Sequence, residues 1–532
     1  MSGLAMTYDQ VRTQEQVAKL EAATGEFITR YNAKPPGPPR KTIFLFPGGL
    51  GSRLVRAGTP HQDGATQSFY YSTIWLDCSI LFGAALDLQM QNDIDSARRI
   101  IVADGYVQFD LMDIRPYEQF IEWCDLNGLD WFVFGWDWRR RVDQAADLFI
   151  TFLPIFRQRV QQACNADPLA DFALVGHSFG GMLVKLILNR QDPLANTCTH
   201  AVSVGTPFYG HGGHVHRYFA GDPDLNFEGK ANITRAVSSM RGGYALLFLD
   251  QATFNRDGPA LAADPDFPLA GYPSMDANNA TQPADPYNPT PKGGKVRYPG
   301  NVGFSMAELA IGLQTYQQVA APLPPAINAK FFNIRGVQTR SGVPVNGTVS
   351  SQTWTRIPNG FDPDVDQDPI TDVSKGPGDG VIPAWSARLV SALPQNVRTL
   401  TGDIEHMTMM NAEDTHRELA RIILGAAAMK RRRRRAPKRA KIATRADVNA
   451  FVEGLRVVKA RSKVDSTRDT LRYLSQFEPE ELGSLMSTAF VDALKSPSQK
   501  LGEPGKRRSP PTPKRDGGAR KGKKARRSKR AR

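Results

Sequence analysis

Cysteine is scarce in this chain: four in 532 residues, Cys78, Cys124, Cys164 and Cys198, none closely spaced. That excludes a disulfide framework and a four-cysteine metal site. No uncharged apolar run approaches the ~20 residues that span a bilayer, so no integral membrane segment is expected. Met1 to Gln16 has no basic stretch leading into an apolar core, so no secretory signal is expected either. No internal repeat is evident. A soluble, cytoplasmic protein of a reducing compartment follows as the expectation.

Charge is present in quantity but unevenly placed. The chain has 67 Lys+Arg against 53 Asp+Glu, a formal net of +14. The first 429 residues hold 35 basic and 43 acidic side chains, a net of −8, while residues 430–532 hold 32 and 10, a net of +22. An anionic partner therefore concerns the C-terminal stretch alone. Within it, 430–443 reads as a basic linker around Arg431 to Arg435, 444–495 as a small helical segment, and 496–532 as a disordered Lys/Arg/Pro/Gly/Ser tail. Three uses compete: nucleic acid, an anionic membrane surface that would hold the protein peripherally, and a nuclear address. Aromatic residues are almost absent there beyond Tyr473 and Phe477, so base stacking has no support.

The acidic body reads as one α/β domain. Residues 7–31 have helical apolar spacing and end at a Pro-rich spacer, Pro35 to Pro39, setting off residues 1–40. From 41 to 429 short buried-type strands alternate with helices. The strands are predicted at Thr42–Phe46, Trp131–Phe134, Phe172–Val175, Ala201–Val204, Lys330–Ile334 and Val397–Leu400. The helices are predicted around Tyr117–Cys124, Val142–Val160, Met182–Asn189 and Asn411–Leu424. This rhythm implies βαβ units and a mostly parallel sheet with helices on both faces. Residues 208–325 break it, rich in Gly, Pro, Asp and Asn, with helical islands near Ile233–Leu249 and Ser305–Val319; an insertion of that length reads as a lid or cap.

Gly176-His177-Ser178-Phe179-Gly180 lies between a strand and a helix, the layout of a nucleophile elbow. A serine hydroxyl needs a neutral imidazole to take its proton and an acid to orient that imidazole. In this layout the chain order is Ser, then acid, then His. His406 follows the last predicted strand in a loop and is the expected base; His177 sits inside the elbow and His416 in the final helix. Asp379, in the glycine-rich turn Gly376 to Pro383, is the expected acid. The neighbouring Asp362, Asp364, Asp366, Asp368 and Asp372 lack the glycine of a calcium loop and carry interrupting prolines, and read as a solvated acidic loop. Two backbone N–H groups would stabilise the oxyanion: Phe179, directly after the serine, and Gly49 in Pro47-Gly48-Gly49-Leu50-Gly51, with Leu50 the alternative. His211, His214 and His216 have metal-like spacing but no obvious fourth ligand, so no metal or cofactor is expected.

Five segments in register over about 41–425 resemble motifs of the lecithin–cholesterol acyltransferase family of phospholipid acyltransferases and phospholipases. These are Pro47 to Leu54, Trp136-Asp137-Trp138-Arg139, Gly176 to Gly181, Gly378 to Pro383, and Glu405-His406. The resemblance implies an α/β-hydrolase fold, a Ser178, Asp379 and His406 triad, an acyl-enzyme on Ser178, and a lipid or other acyl-ester substrate. It further implies substrate contacts at Asp137, Trp138 and Trp75. The family's secreted members tether a lid with a disulfide, whereas only Cys78 lies in the corresponding stretch here. A general carboxylesterase on the same scaffold and a non-catalytic polyanion-binding protein are the alternatives.

Overall fold

Six short strands form a parallel sheet whose central members are apolar and buried on both faces. The computed structural model describes residues 7–35, 40–59, 73–75, 88, 90–91, 94–95, 100–108, 115–210, 239–247, 249–264, 267–268, 306–354 and 370–425. The strands are β1 (Thr42–Phe46), β2 (Asp130–Val133), β3 (Phe172–His177), β4 (His200–Val204), β5 (Phe331–Arg340) and β6 (Val397–Gly402). In space they run β2-β1-β3-β4-β5-β6, every pairing parallel. A two-residue strand, Val343–Pro344, turns back antiparallel on the end of β5. All five residues of β1 and all six of β3 are buried. Continuous apolar runs without alternation are what a sheet covered on both sides requires.

The helices supply the covering. They are α1 (Tyr8–Ala33), α2 (Glu118–Leu126), α3 (Val142–Cys164), α4 (Phe179–Asn189), α5 (Gln251–Leu261), α6 (Met306–Ala320) and α7 (Glu413–Leu424). On one face, Phe149 and Phe156 of α3, seven apart and so on one side of the helix, meet Phe44 of β1 edge-on at 5.5 and 5.1 Å. Phe27 of α1 reaches the same cluster, 5.0 Å from Phe156. On the other face, Ile43 and Leu45 pack with Phe120 of α2 and Leu419 of α7. Each buried aromatic contributes about 2–3 kcal/mol from burial, and edge-to-face geometry adds ~1 kcal/mol per pair. The helix α1 starts with a capping box, Thr7 and Gln10, and its buried Gln16 bonds the Ala103 backbone through both amide atoms.

Several elements differ from the sequence prediction. Leu54–Arg56, Thr73–Trp75 and Ile101–Ala103 form a small antiparallel sheet beside the main one. Three-residue strands are too short to show a period, so nothing in the sequence marked them. Helix α5 was also missed: Asp250 caps it by accepting from Ala252 and Thr253, but Gly258 and Pro259 near its end hide the helical pattern. Between β5 and the Asp379 turn lies an unexpected antiparallel hairpin, Thr348–Trp354 with Ile370–Gly376.

The described helices of the 208–325 insertion are not a detached cap. α6 joins the main core through Leu309 and Val319, and its C-terminal carbonyls are held by Lys185, Asn189 and Arg256 from α4 and α5. Burial lowers the Lys185 ammonium to about 7. The rest of the insertion, including His211, His214 and His216, lies outside the described residues, as do Cys78, Asp362 to Asp368 and all of 430–532. Among the described residues no helix is long and apolar enough to cross a membrane, Cys124, Cys164 and Cys198 are free thiols, and no group of three or more His, Cys, Asp or Glu could hold a metal ion.

Candidate active site

Ser178 stands between β3 and α4 with φ 53° and ψ −124°, a left-handed backbone that few non-glycine residues adopt. The neighbouring glycines make this turn sterically feasible. A Cβ at Gly176 would lie 2.3 Å from the Gly180 carbonyl oxygen, and one at Gly180 would lie 2.0 Å from that of Phe46. The Ser178 N–H donates to Val204 O at 2.8 Å, pinning the turn to β4. The serine is half-buried whereas its neighbours are buried, so the hydroxyl is the accessible end of the site.

Two other loops at the C-terminal edge of the sheet converge on it. His406 Nε2 lies 2.9 Å from Ser178 Oγ, and His406 Nδ1 lies 2.8 Å from Asp379 Oδ2. The other Asp379 oxygen accepts the backbone N–H groups of Val381 at 3.1 Å and Ile382 at 2.7 Å. The His406 N–H donates to Asp379 O at 2.9 Å, and the Gln338 N–H of β5 to Gly378 O at 2.8 Å. Three residues separated by 201 and 27 positions thus form one hydrogen-bonded line, buried at Asp379 and His406 and open at Ser178. Gly205 leaves the necessary space beneath: a Cβ there would come within 3.2 Å of Asp379 Oδ2 and 3.3 Å of His406 Nδ1.

The 47–52 loop lies directly against this line. A Cβ on Gly48 would sit 2.9 Å from Ser178 Cβ, and one on Gly49 3.8 Å from the Phe179 ring. Among the described residues neither the Gly49 nor the Phe179 N–H has an acceptor; Phe179, opening α4, has no intrahelical partner by construction. The loop carbonyls are held by indoles: Trp136 Nε1 donates to Pro47 O at 2.9 Å, Trp75 Nε1 to Leu50 O at 2.7 Å, and Trp138 Nε1 to Ser52 O at 3.2 Å. Leu50, the alternative donor, takes φ 65° at the turn's apex.

The substrate contacts expected at Trp75, Asp137 and Trp138 are not what the geometry offers. All three side chains are buried and their polar atoms are already engaged. The Asp137 carboxylate is gripped by Arg139 through Nε at 2.9 Å and Nη2 at 2.7 Å, and by Arg140 Nε at 3.2 Å. Arg139 Nη2 also lies 2.9 Å from Asp95 Oδ1. Burial alone would raise the Asp137 carboxyl, but Arg139, with Arg140 and Arg12, overrides it and holds it down at about 2. Buried charges must be paired, and Asp137 with its two arginines meets that need, while the Trp75 and Trp138 indoles hold the glycine loop.

Two residues at the site had no assigned part in the sequence reading: Tyr117 and His177. The Gly48 N–H donates to Tyr117 Oη at 2.8 Å, Tyr117 Oη is 3.1 Å from His177 Nδ1, and His177 Nε2 is 3.0 Å from His406 O. Burial, reinforced by His406, pushes His177 down to about 3, and burial raises the Tyr117 phenol well above its usual range. A histidine next to a serine gives no sequence signal for such contacts, because its ring turns away from its neighbour into the core.

No protein-family model and no curated protein matches the chain. Among solved structures, a chain in the crystal structure of the Tle4–Tli4 complex is similar at 13% identity and a TM-score of 0.45, the match covering 71% of this chain and 96% of that one.

Proposed function

We propose that this chain is a serine-dependent acyl-transfer enzyme of α/β-hydrolase type, acting on lipid esters in the manner of the lecithin–cholesterol acyltransferase family. The observation that carries the reading is the continuous line from Ser178 Oγ through His406 to Asp379, anchored on a strained turn beside two amides that have no acceptor among the described residues. His406 Nε2 takes the Ser178 proton as Oγ bonds to the ester carbonyl carbon. The Gly49 and Phe179 N–H groups receive the negative oxygen. His406 then returns the proton to the departing alcohol as the C–O bond breaks, leaving an acyl group on Ser178. Water or a second alcohol enters by the same steps in reverse. Asp379 keeps Nδ1 protonated and steadies the imidazolium.

The lipid class rests on the five-segment resemblance. It gives the basic stretch 430–532 a use as a cationic arm on anionic membranes, each basic residue near the surface adding roughly 1 kcal/mol. A fluorophosphonate probe tests the chemistry: Ser178 becomes labelled, and His406→Ala abolishes labelling. Absence of label on the unmodified protein would leave a non-catalytic scaffold. Product analysis with phospholipid vesicles and a competing alcohol then separates transferase, phospholipase and short-chain esterase.

A further inference from the structure

The hydrogen bonds around His177 have a single consistent direction. A backbone carbonyl only accepts, so at 3.0 Å from His406 O the Nε2 of His177 must carry the proton. The ring is neutral, since burial strongly disfavours its charged form. Its Nδ1 is then an acceptor, and the nearby group able to donate is the Tyr117 hydroxyl at 3.1 Å. The hydroxyl oxygen in turn accepts the Gly48 N–H at 2.8 Å. Donation runs from Gly48 to Tyr117 to His177 to the main chain of His406, all of it buried. The His177 ring also packs against both partners, centroids 5.7 Å from Tyr117 and 5.0 Å from His406.

This chain ties together two loops that no covalent path joins closely. One presents the Gly49 amide and the other presents the His406 imidazole, 357 positions later. We propose that Tyr117 and His177 are positioning residues that hold the glycine loop and the base-bearing loop in fixed relation to Ser178. The proposal rests on the acyl-transfer reading above. Neither side chain touches the reacting atoms. Their effect is exerted through the Gly48 peptide, which sets the amide after it, and through the His406 backbone, which sets its ring.

The test is the rate constant for fluorophosphonate labelling of Ser178, followed to completion in each variant by mass spectrometry. Tyr117→Phe and His177→Leu should each label roughly 10- to 100-fold more slowly, the cost of a small misplacement of reacting groups, yet reach full stoichiometry. Because the bonds form one chain, the double variant should be no slower than the worse single one. His177→Gln, whose amide N–H₂ can reach toward His406 O, should recover part of the loss. Labelling within about 2-fold of the unmodified protein in both single variants overturns the positioning role, as does a double variant whose loss is the product of the two. If a variant labels only a fraction of its molecules through misfolding, nitrogen NMR of the unmodified protein decides: a neutral, Nε2-protonated His177 at pH 6 supports the chain, and any other state overturns it. An unmodified protein that never labels defeats the acyl-transfer reading beneath, an outcome distinct from normal labelling in the variants.

Discussion

The molecule holds two buried polar constellations built on opposite principles. Asp137, Asp95, Arg139 and Arg140 form a closed set in which every carboxylate faces a guanidinium. Asp379 and His406, against the 47–52 loop, form an open line that ends on a half-buried hydroxyl, next to amides with no described acceptor. The closed set is ion-paired within itself; the open line has unspent capacity at one end. Charge that is fully answered holds a fold together, and capacity left over is available for chemistry.

The comparison breaks most sharply at the serine. Ser178→Ala should lower ester turnover by on the order of 10⁶ while leaving thermal unfolding nearly unchanged; surviving turnover would remove the open line from the mechanism. Asp379→Asn should cost on the order of 10⁴ in kcat, because the imidazole loses the partner that fixes its tautomer. On the closed side, Asp137→Asn should instead destabilise the protein by about 3–5 kcal/mol in denaturant titration, since Arg139 would keep a buried, poorly paired charge. Unchanged stability with lost activity would mean that the two constellations had been assigned the wrong way round.

A smaller effect concerns pH. His177 is held at about 3 in the folded chain, against ~6.5 when unfolded. Below pH ~6.5 the unfolded chain binds the extra proton, so stability is complete above that value and falls as pH drops toward 3, by up to about 1.4 kcal/mol per pH unit. Asp137, depressed to about 2, adds its own loss only below pH ~4. Unfolding free energies measured at pH 6.5 and 4.5 should therefore differ less for His177→Gln than for the unmodified protein; equal slopes would mean that His177 is not held neutral. Smallest of all, Trp75→Phe removes one indole bond to Leu50 O and should cost about 1 kcal/mol of stability in denaturant titration; an unchanged midpoint would mean that this bond does not hold the loop.

Much of this molecule could be read before any coordinates. The central strands Thr42–Phe46 and Phe172–His177 appear as apolar runs because burial on both faces demands them. The chain-order rule selected Asp379 and His406 for Ser178, and the fold brings those same side chains into contact. The glycines at 176, 180 and 181 mark a turn with no room for side chains. What escaped notice shares one property: it depends on partners far away in sequence. The three-residue strands at 54–56, 73–75 and 101–103 exist only through their pairing. Trp75, Asp137 and Trp138 looked like surface for a substrate, since an aromatic or an acid in a motif does not reveal which way it faces.

The amino-acid order alone determined the alternation of strand and helix, the tight turn at Ser178 and the separation of an acidic body from a basic end, because each depends on local composition and spacing. Only the tertiary structure decided that Asp137 is neutralised by two arginines, that indoles hold the glycine loop, and that Tyr117 and His177 link it to His406. Such matters turn on direction and distance between groups hundreds of positions apart, and a linear pattern carries neither.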